Sequence, residues 1–177
     1  MVQGDGRPPE VDVDEWFDAE HPRMVGLARR VIDPDDSTPA SLEAARAASI
    51  RAFVRLHHRP PKDRDDRIVA TVRTVLDECL PLLMGNPAVV QLRPDALGDD
   101  LVFDGTLGLA ELHDALQAMG RRARHSGLLS MAAGLSAVEV AALLDEPLDA
   151  TLEHLGHVST RLADRRRLGM DHLVGPT

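Results

Sequence analysis

The amino-acid sequence predicts an all-α protein with two small helical domains joined by a linker, and three observations support this prediction. Apolar residues recur at spacings of three and four along most of the 177-residue chain, which is the period of an α-helix. Aromatic residues make up only 2% of the chain, whereas β-rich cores depend on aromatic and β-branched side chains. Clusters rich in Gly, Pro and Asp separate the helical stretches, and the longest of them, 85–108, has no helical period.

Four helices are predicted before residue 85. A short first helix covers 13–19, and the second begins at Pro22, because proline suits the first turn of a helix. Ser41 is predicted to cap the third helix, in which Phe53 lies beside an apolar stripe. The inward-facing residues of the last three helices are Met24, Leu27, Ala28 and Val31, then Ala45, Ala48, Ala52 and Leu56, then Ile68, Val72, Val75, Cys79 and Leu82.

Four more helices are predicted after the linker. The first ends at Gly120, the second ends at Gly134, and the third begins with a capping box of Ser136 and Glu139. The last helix has an apolar stripe that consists of Leu148, Leu152, Leu155, Val158 and Leu162. The last two helices and the short turn at 145–147 have the layout of a helix-turn-helix, although any packed helical hairpin gives the same pattern.

Composition and motifs argue against several classes of function. The formal net charge is −9 and no section of the chain is basic overall, which argues against a broad DNA-binding surface. The glycine-rich phosphate loops and the GxSxG motif of common enzymes are absent from the sequence. We therefore expect no enzymatic activity and no cofactor.

Candidate reactive residues are few. Cys79 is the single cysteine and lies in an apolar stripe, so we expect a buried, unreactive thiol. His154 and His157 have a spacing that metal sites use, but the sequence offers no third ligand nearby, so we expect no metal site. The chain has no apolar run long enough to span a membrane, and its N-terminus lacks the layout of a signal peptide. A cytoplasmic protein is the expectation.

A set of motifs in a fixed order points to one known family. HPRMVGLARRVI, SIRAFVRL and RIVATVRTVLDECL follow one another in the first half, and GLSAVEVAALLDEPLDATLEHLGHVSTRL lies in the last third. In this order the chain resembles the extracytoplasmic-function sigma factors, two-domain initiation factors of bacterial RNA polymerase. The resemblance implies this division: a disordered N-terminus at 1–13, a region 2-like helical domain at 14–84, a linker at 85–108, a region 4-like helix-turn-helix domain at 109–168, and a tail at 169–177.

The resemblance also implies two binding surfaces. The RNA polymerase core would contact the first domain through Glu43, Arg46, Arg51 and Phe53. Promoter DNA would contact Arg67 and Arg73 in the first domain and, in the second domain, Thr151, His154, Arg161, Arg165 and Arg166. An anti-sigma factor or another regulatory protein is a further partner that the resemblance suggests.

Several residues depart from the family's pattern. Arg46 and Ala47 stand where the family has the Gln-Glu pair that docks on the polymerase clamp, and 66–74 holds no aromatic residue for melted bases. Four acidic residues surround the predicted recognition helix and would oppose DNA phosphates, namely Asp145, Glu146, Asp149 and Glu153. Two interpretations therefore stay open: a working sigma-like initiation factor, or a sigma-derived interaction protein that no longer recognises promoters.

Overall fold

The computed structural model describes residues 13–33, 39–58, 61, 64–85, 89–91 and 106–171. The chain is all-α, as predicted, and its helices are α1 (Val13–Ile32), α2 (Pro39–His58), α3 (Arg64–Cys79), α4 (Leu109–Gln117), α5 (Arg121–Gly127), α6 (Ala137–Leu144) and α7 (Leu148–Asp171). A 3₁₀ segment, Leu80–Gly85, continues α3, and a π-helical turn, Leu128–Ala132, continues α5. Two three-residue strands, β1 (Val89–Gln91) and β2 (Thr106–Gly108), form a small antiparallel ribbon.

Helices α1, α2 and α3 pack on one another through the predicted apolar stripes. The inward face of α2 is rich in alanine, which lets neighbouring helices approach closely, and its Ala45, Ala48 and Ala52 are fully buried. Val72 and Val75 of α3 are buried as well, whereas Ile68 lies at the exposed edge of the bundle and not inward as predicted.

Helix α1 is continuous through Pro22, so the prediction of two separate helices with Pro22 in a first turn is wrong. An aromatic cluster explains the continuity. The Phe17 ring stacks on His21 at 4.4 Å and meets Phe53 edge-on at 5.0 Å, while Trp16 meets Phe53 at 5.1 Å. These contacts fix the turns that precede the proline and compensate for the hydrogen bond that a helical proline cannot donate.

Two helix boundaries also differ from the prediction. Helix α2 begins at Pro39, so Ser41 lies buried within its first turn and does not precede the helix as a cap. Helix α4 ends at Gln117, and Gly120 instead stands at the N-cap of α5 with an extended backbone. The prediction for Gly134 is confirmed, because this residue follows the π-helical turn with a φ of +70°, which glycine adopts freely.

A glycine allows α5 to lie close to its neighbours. A Cβ atom at Gly127 would come within 2.6 Å of a Leu116 methyl and 3.2 Å of a Val158 methyl. Helices α4 and α7 therefore approach α5 at a distance that a larger residue would prevent. Leu155, Val158 and Leu162 of α7 are all buried, as predicted.

The predicted stripe of α7 is wrong at its beginning. Leu148 and Leu152 are 43% and 44% exposed, whereas Thr151 has no exposed surface. The three-residue turn between α6 and α7 sets the rotation of α7, so Thr151, Leu155, Val158 and Leu162 form its inward face at spacings of three and four.

One hydrophobic core runs through the described parts of both predicted domains. The same cluster of buried residues includes Val31, Leu76 and Leu83 from the first half and Leu116 and Leu144 from the second. Helix α3 packs against α5 and α6, α1 against the π-helical turn, and the 3₁₀ segment against α4. The two halves therefore form one packed body, although the proposed domain boundaries themselves stay a prediction.

Only the two ends of the predicted linker are described. Val89, Val90 and Gln91 pair in antiparallel register with Gly108, Leu107 and Thr106. Residues 92–105 of the linker lie outside the described residues, as do the N-terminus at 1–12 and most of the tail. None of the described helices combines the length and apolar character that a bilayer span requires.

Candidate functional site at the contact between α3 and the last three helices

The turn between α6 and α7 is built from local hydrogen bonds. The hydroxyl of Ser136 accepts from the backbone N–H of Glu139, whose carboxylate accepts in return from the Ser136 N–H at 2.8 Å, which confirms the predicted capping box. Asp145 ends α6 in the left-handed region with a φ of 50°, a conformation that aspartate tolerates better than most residues. The backbone N–H of Glu146 then donates to the carbonyl of Ala141 at 3.0 Å. These bonds hold the turn in one conformation.

Arg73 of α3 binds this turn directly. Its Nη2 atom donates to the carbonyl oxygen of Leu144 and to Oε1 of Glu146, both at 3.0 Å. The carbonyls at the end of a helix have no partner within the helix, so the first bond satisfies one of them. The second bond supplies a positive charge to Glu146, a carboxylate that the fold almost completely buries.

Two further side chains approach the Glu146 carboxylate. His154 Nδ1 lies 3.4 Å from Oε2, and Arg122 Nε lies 3.9 Å from Oε1. A buried carboxylate is costly unless it is paired, so these neighbours help to keep Glu146 in its buried position. The acidic residue that the sequence placed near DNA thus serves the contact between the two halves.

A second polar contact lies one helical turn further along α3. Asp77 Oδ2 accepts from Nη2 and Nε of Arg121 at 2.6 and 3.1 Å, and Asp77 Oδ1 lies 2.8 Å from Nε2 of the buried His125. Burial acts to raise the pKa of Asp77, but the hydrogen bonds from His125 and Arg121 outweigh it and lower the pKa below the ordinary value of 3.8. Asp77 is therefore ionised at neutral pH and joins α3 to α5.

Arg73 and Asp77 lie four residues apart and so share one face of α3. We name the group Arg73, Asp77, Arg121, His125 and Glu146 the α3 latch. It joins residues that are 44 to 73 positions apart in the sequence. Its members form hydrogen bonds and ion pairs with one another, and these contacts hold the two halves of the chain together.

The outward face of α7 has a different character. Leu148 and Leu152 are exposed, and so are the neighbouring Asp149 and Glu153. Thr151, in the same turns, is fully buried. We name the four exposed residues the acidic ridge.

Three of the residues predicted to contact DNA are engaged inside the molecule. Thr151 is fully buried and cannot reach a ligand in this conformation, Arg73 belongs to the latch, and His154 faces Glu146. Arg67 donates to the carbonyl of Pro61 at 3.4 Å. The structure thus does not bring these residues to one surface.

The other predicted DNA contacts lie further along α7. Arg161 is exposed and lines an open groove of about 370 Å³ together with His157 and Asp164. Arg165 and Arg166 lie on α7, but their side chains fall outside the described residues. In the described part of the chain, no group of three His, Cys, Asp or Glu side chains could hold a metal ion.

The residues predicted to bind polymerase are divided between a surface and the core. Glu43 and Arg46 are exposed on α2, and Arg51 is half-exposed and donates to Glu78 of α3 at 2.7 Å. Phe53 is buried in the aromatic cluster, so it supports α2 from within and offers no surface to a partner.

Cys79 is buried as predicted. Its burial, together with the negative charge of Glu78, raises the pKa of the thiol to about 12 despite the opposing charge of Arg51. The thiol therefore stays protonated at physiological pH, which makes it a poor nucleophile.

The chain was compared with known proteins at three levels. No protein-family model, no curated protein and no solved structure matches it. Its function is therefore inferred from the site geometry and from the sequence resemblance described above.

Sequence reasoning missed the α3 latch as a unit. The sequence places Asp77 within a family motif, Arg73 among the candidate DNA contacts and Glu146 among the acidic residues near DNA. No local pattern pairs them, because the partners come from helices that are distant in the sequence. The signal that the sequence does contain is a carboxylate, Glu146, in the short turn predicted at 145–147.

Proposed function

We propose that this chain is a sigma-factor-derived regulator of transcription that acts through protein contacts and has lost promoter recognition. The observation that carries the proposal is the acidic ridge. In the sigma-factor reading, the first turns of α7 would enter the major groove and present polar and basic side chains. Here they present Leu148, Leu152, Asp149 and Glu153.

The chemistry of this face opposes DNA. Affinity for DNA depends on Lys and Arg that neutralise phosphates, and carboxylates in their place repel the backbone. Exposed leucines gain nothing from phosphates, whereas they are typical of a surface that a protein partner covers. The face is therefore better suited to a protein than to a promoter.

The proposal retains the polymerase core as a candidate partner. The exposed side of α2 carries Glu43 and Arg46, which the resemblance assigns to core binding, and Arg51 lies beside them. An anti-sigma factor or another regulatory protein is the other candidate. In this reading the protein works in the cytoplasm, has no catalytic activity and needs no cofactor.

A DNA-binding titration with the full chain tests the proposal. Fluorescence anisotropy with labelled duplex DNA should give a Kd no tighter than the ~10⁻⁴–10⁻⁶ M of non-specific binding at physiological salt. The double variant Asp149→Arg/Glu153→Arg should bind DNA more tightly, because it replaces two repelling charges on the ridge. A matched control is Glu15→Arg/Asp18→Arg, which makes the same change in net charge at exposed positions of α1.

The control separates a local effect from a general one. A gain in affinity that is larger for the α7 variant than for the α1 variant supports the acidic ridge as the cause of weak binding. Sequence-selective binding of the wild type at nanomolar concentrations would refute the proposal.

A second candidate function is favoured by the α3 latch. An initiation factor held in a closed form would also have Arg73 tied to Glu146 and Arg121 tied to Asp77. Run-off transcription with polymerase core distinguishes the two functions. The proposal expects no transcript from the wild type or from the latch variant Arg73→Met/Asp77→Asn, whereas a transcript from the latch variant alone would establish the closed initiation factor.

A further inference from the structure

We infer that two copies of this chain associate through the outer face of α2 in one copy and the acidic ridge of α7 in the other. The inference identifies the partner of the α7 face as a second copy of this chain. It rests on one part of the proposed function, namely that this face binds a protein and not DNA. It goes beyond that function because it assigns a complementary surface within the same chain.

The acidic ridge provides an apolar centre with a negative border. Leu148 and Leu152 are four residues apart and share one side of α7. Asp149 follows Leu148 directly and Glu153 follows Leu152 directly, so the two carboxylates form a row beside the two leucines. The exposed Asp145 lies just before the helix. Asp145, Asp149 and Glu153 therefore give the ridge a negative border, and the exposed Arg122 of α5, which lies 3.9 Å from Glu146, is a positive charge near the turn.

Helix α2 provides the opposite combination. Ile50 and Val54 are again four residues apart and are 47% and 52% exposed. Arg46 is exposed on one side of this pair, and Arg51 and Arg55 are exposed on the other. We name these five residues the basic ridge.

Two carboxylates, Glu43 and Glu78, reduce the charge of the basic ridge without cancelling it, and Glu43 is exposed on the same face of α2, three residues before Arg46. Glu78 of α3 pairs with Arg51 at 2.7 Å and with Arg55 at 2.9 Å, and its own side chain is largely buried. One negative charge thus serves two guanidinium groups, and Arg46 adds a third positive charge. The ridge keeps an excess of positive charge and donor N–H groups that face outward.

The two ridges match in spacing and in charge. Each presents two apolar side chains at a separation of four residues, so the pairs can interdigitate as helices do in ridge-and-groove packing. Each has a border of the sign that attracts the other. Within one chain they do not cover each other, because all four apolar side chains remain between 43% and 52% exposed.

The contact must join unlike surfaces. If two acidic ridges met, Asp149 and Glu153 of one copy would repel the same residues of the other copy. If two basic ridges met, their arginines would repel one another. Only the pairing of α2 with α7 places opposite charges together. Among the described residues the large exposed apolar side chains are six, and four of them belong to these two ridges.

Sedimentation velocity over a series of concentrations tests the inference with the full chain. The wild type should show a concentration-dependent increase in sedimentation coefficient, and added salt should weaken it because screening reduces the attraction of exposed charges. The α7 variant Asp149→Arg/Glu153→Arg and the α2 variant Arg46→Glu/Val54→Glu should each sediment as a monomer. None of these substitutions touches the buried Glu78 contacts.

Mixing the two variants gives the decisive result. The α7 variant keeps the wild-type α2 and the α2 variant keeps the wild-type α7. These two unchanged surfaces can meet only in the mixture, so an equimolar mixture should associate although neither variant does alone. The control Glu15→Arg/Asp18→Arg should associate like the wild type. Far-UV circular dichroism and thermal melting of every variant establish that it is folded.

Three outcomes would overturn the inference. These are a wild type that stays monomeric up to millimolar concentration, an α2 variant that associates as well as the wild type, and a mixture of folded variants that stays monomeric. The DNA titration described above is independent of all three. A monomeric wild type that binds DNA weakly overturns self-association alone, whereas tight selective DNA binding overturns the proposed function as well.

Discussion

Leu152 and Leu155 lie three residues apart on α7 and have opposite environments. Leu155 is buried, with 1% of its surface exposed, whereas Leu152 belongs to the acidic ridge. Removing a buried side chain loses its transfer free energy and leaves a cavity, and removing an exposed one does neither. The pair thus allows one chemical change to be compared at two positions of the same helix.

At this scale we predict the effect of truncating a core leucine. Leu155→Ala and Leu144→Ala should each lower the free energy of unfolding by about 2–5 kcal/mol, the usual range for a fully buried leucine. The control Leu152→Ala should change it by less than about 0.5 kcal/mol, as surface substitutions do. Urea unfolding followed by circular dichroism measures all three. Equal losses at 152 and 155 would contradict the rotation of α7 described here.

In the hairpin of α6 and α7, the short helix α6 depends on contacts at its two ends. Helix α6 has only eight residues, and short helices are marginal without tertiary contacts and caps. Its N-terminus is closed by the reciprocal bonds of Ser136 and Glu139, and its C-terminus by the carbonyl contact from Arg73. Both ends of α6 are therefore satisfied by named side chains.

At the scale of the element we predict the contribution of the cap. Ser136→Ala removes the acceptor for the Glu139 N–H and should lower the free energy of unfolding by about 0.5–2 kcal/mol. Ser136→Asp restores an acceptor beside the helix N-terminus and should recover most of the loss. Thermal or urea unfolding provides the measurement. An alanine variant as stable as the wild type would show that the latch alone holds α6.

The whole molecule depends on polar contacts that cross a continuous apolar core. Asp77 binds Arg121 and His125 across the interface between α3 and α5, and its pKa is lower than in an unfolded chain. A carboxyl group with a lowered pKa in the folded state stabilises the fold at pH values above its unfolded pKa. This stabilisation disappears as the pH falls through the folded-state pKa.

At the scale of the whole molecule we therefore predict a dependence on pH. Asp77→Asn should lower stability at neutral pH and should flatten the loss of stability that the wild type shows as the pH falls below 3.8. Urea unfolding at a series of pH values measures this slope. The control Asp66→Asn, at an exposed position of the same helix, should leave the slope unchanged. If the Asp77→Asn variant kept the wild-type slope, the ionised carboxylate of Asp77 would not be the source of this pH dependence.

The sequence alone determined the features that depend on neighbours along the chain. The helical class, the stripe of α2, the stripe of α3 apart from Ile68, the capping box at Ser136 and the burial of Cys79 follow from spacing and local hydrogen bonding. The acidic character of the first turns of α7 was also evident from the residues themselves. These predictions are confirmed because helix period and capping act within a few residues.

The tertiary structure decided the rest. The aromatic contacts of Phe53 carry α1 through Pro22, and the turn after α6 rotates Leu148 and Leu152 outward and Thr151 inward. The pairing of Arg73 with Glu146 and of Asp77 with Arg121 and His125 joins distant helices. Such contacts depend on how helices pack on one another, and packing is a property of the whole core that no local spacing encodes.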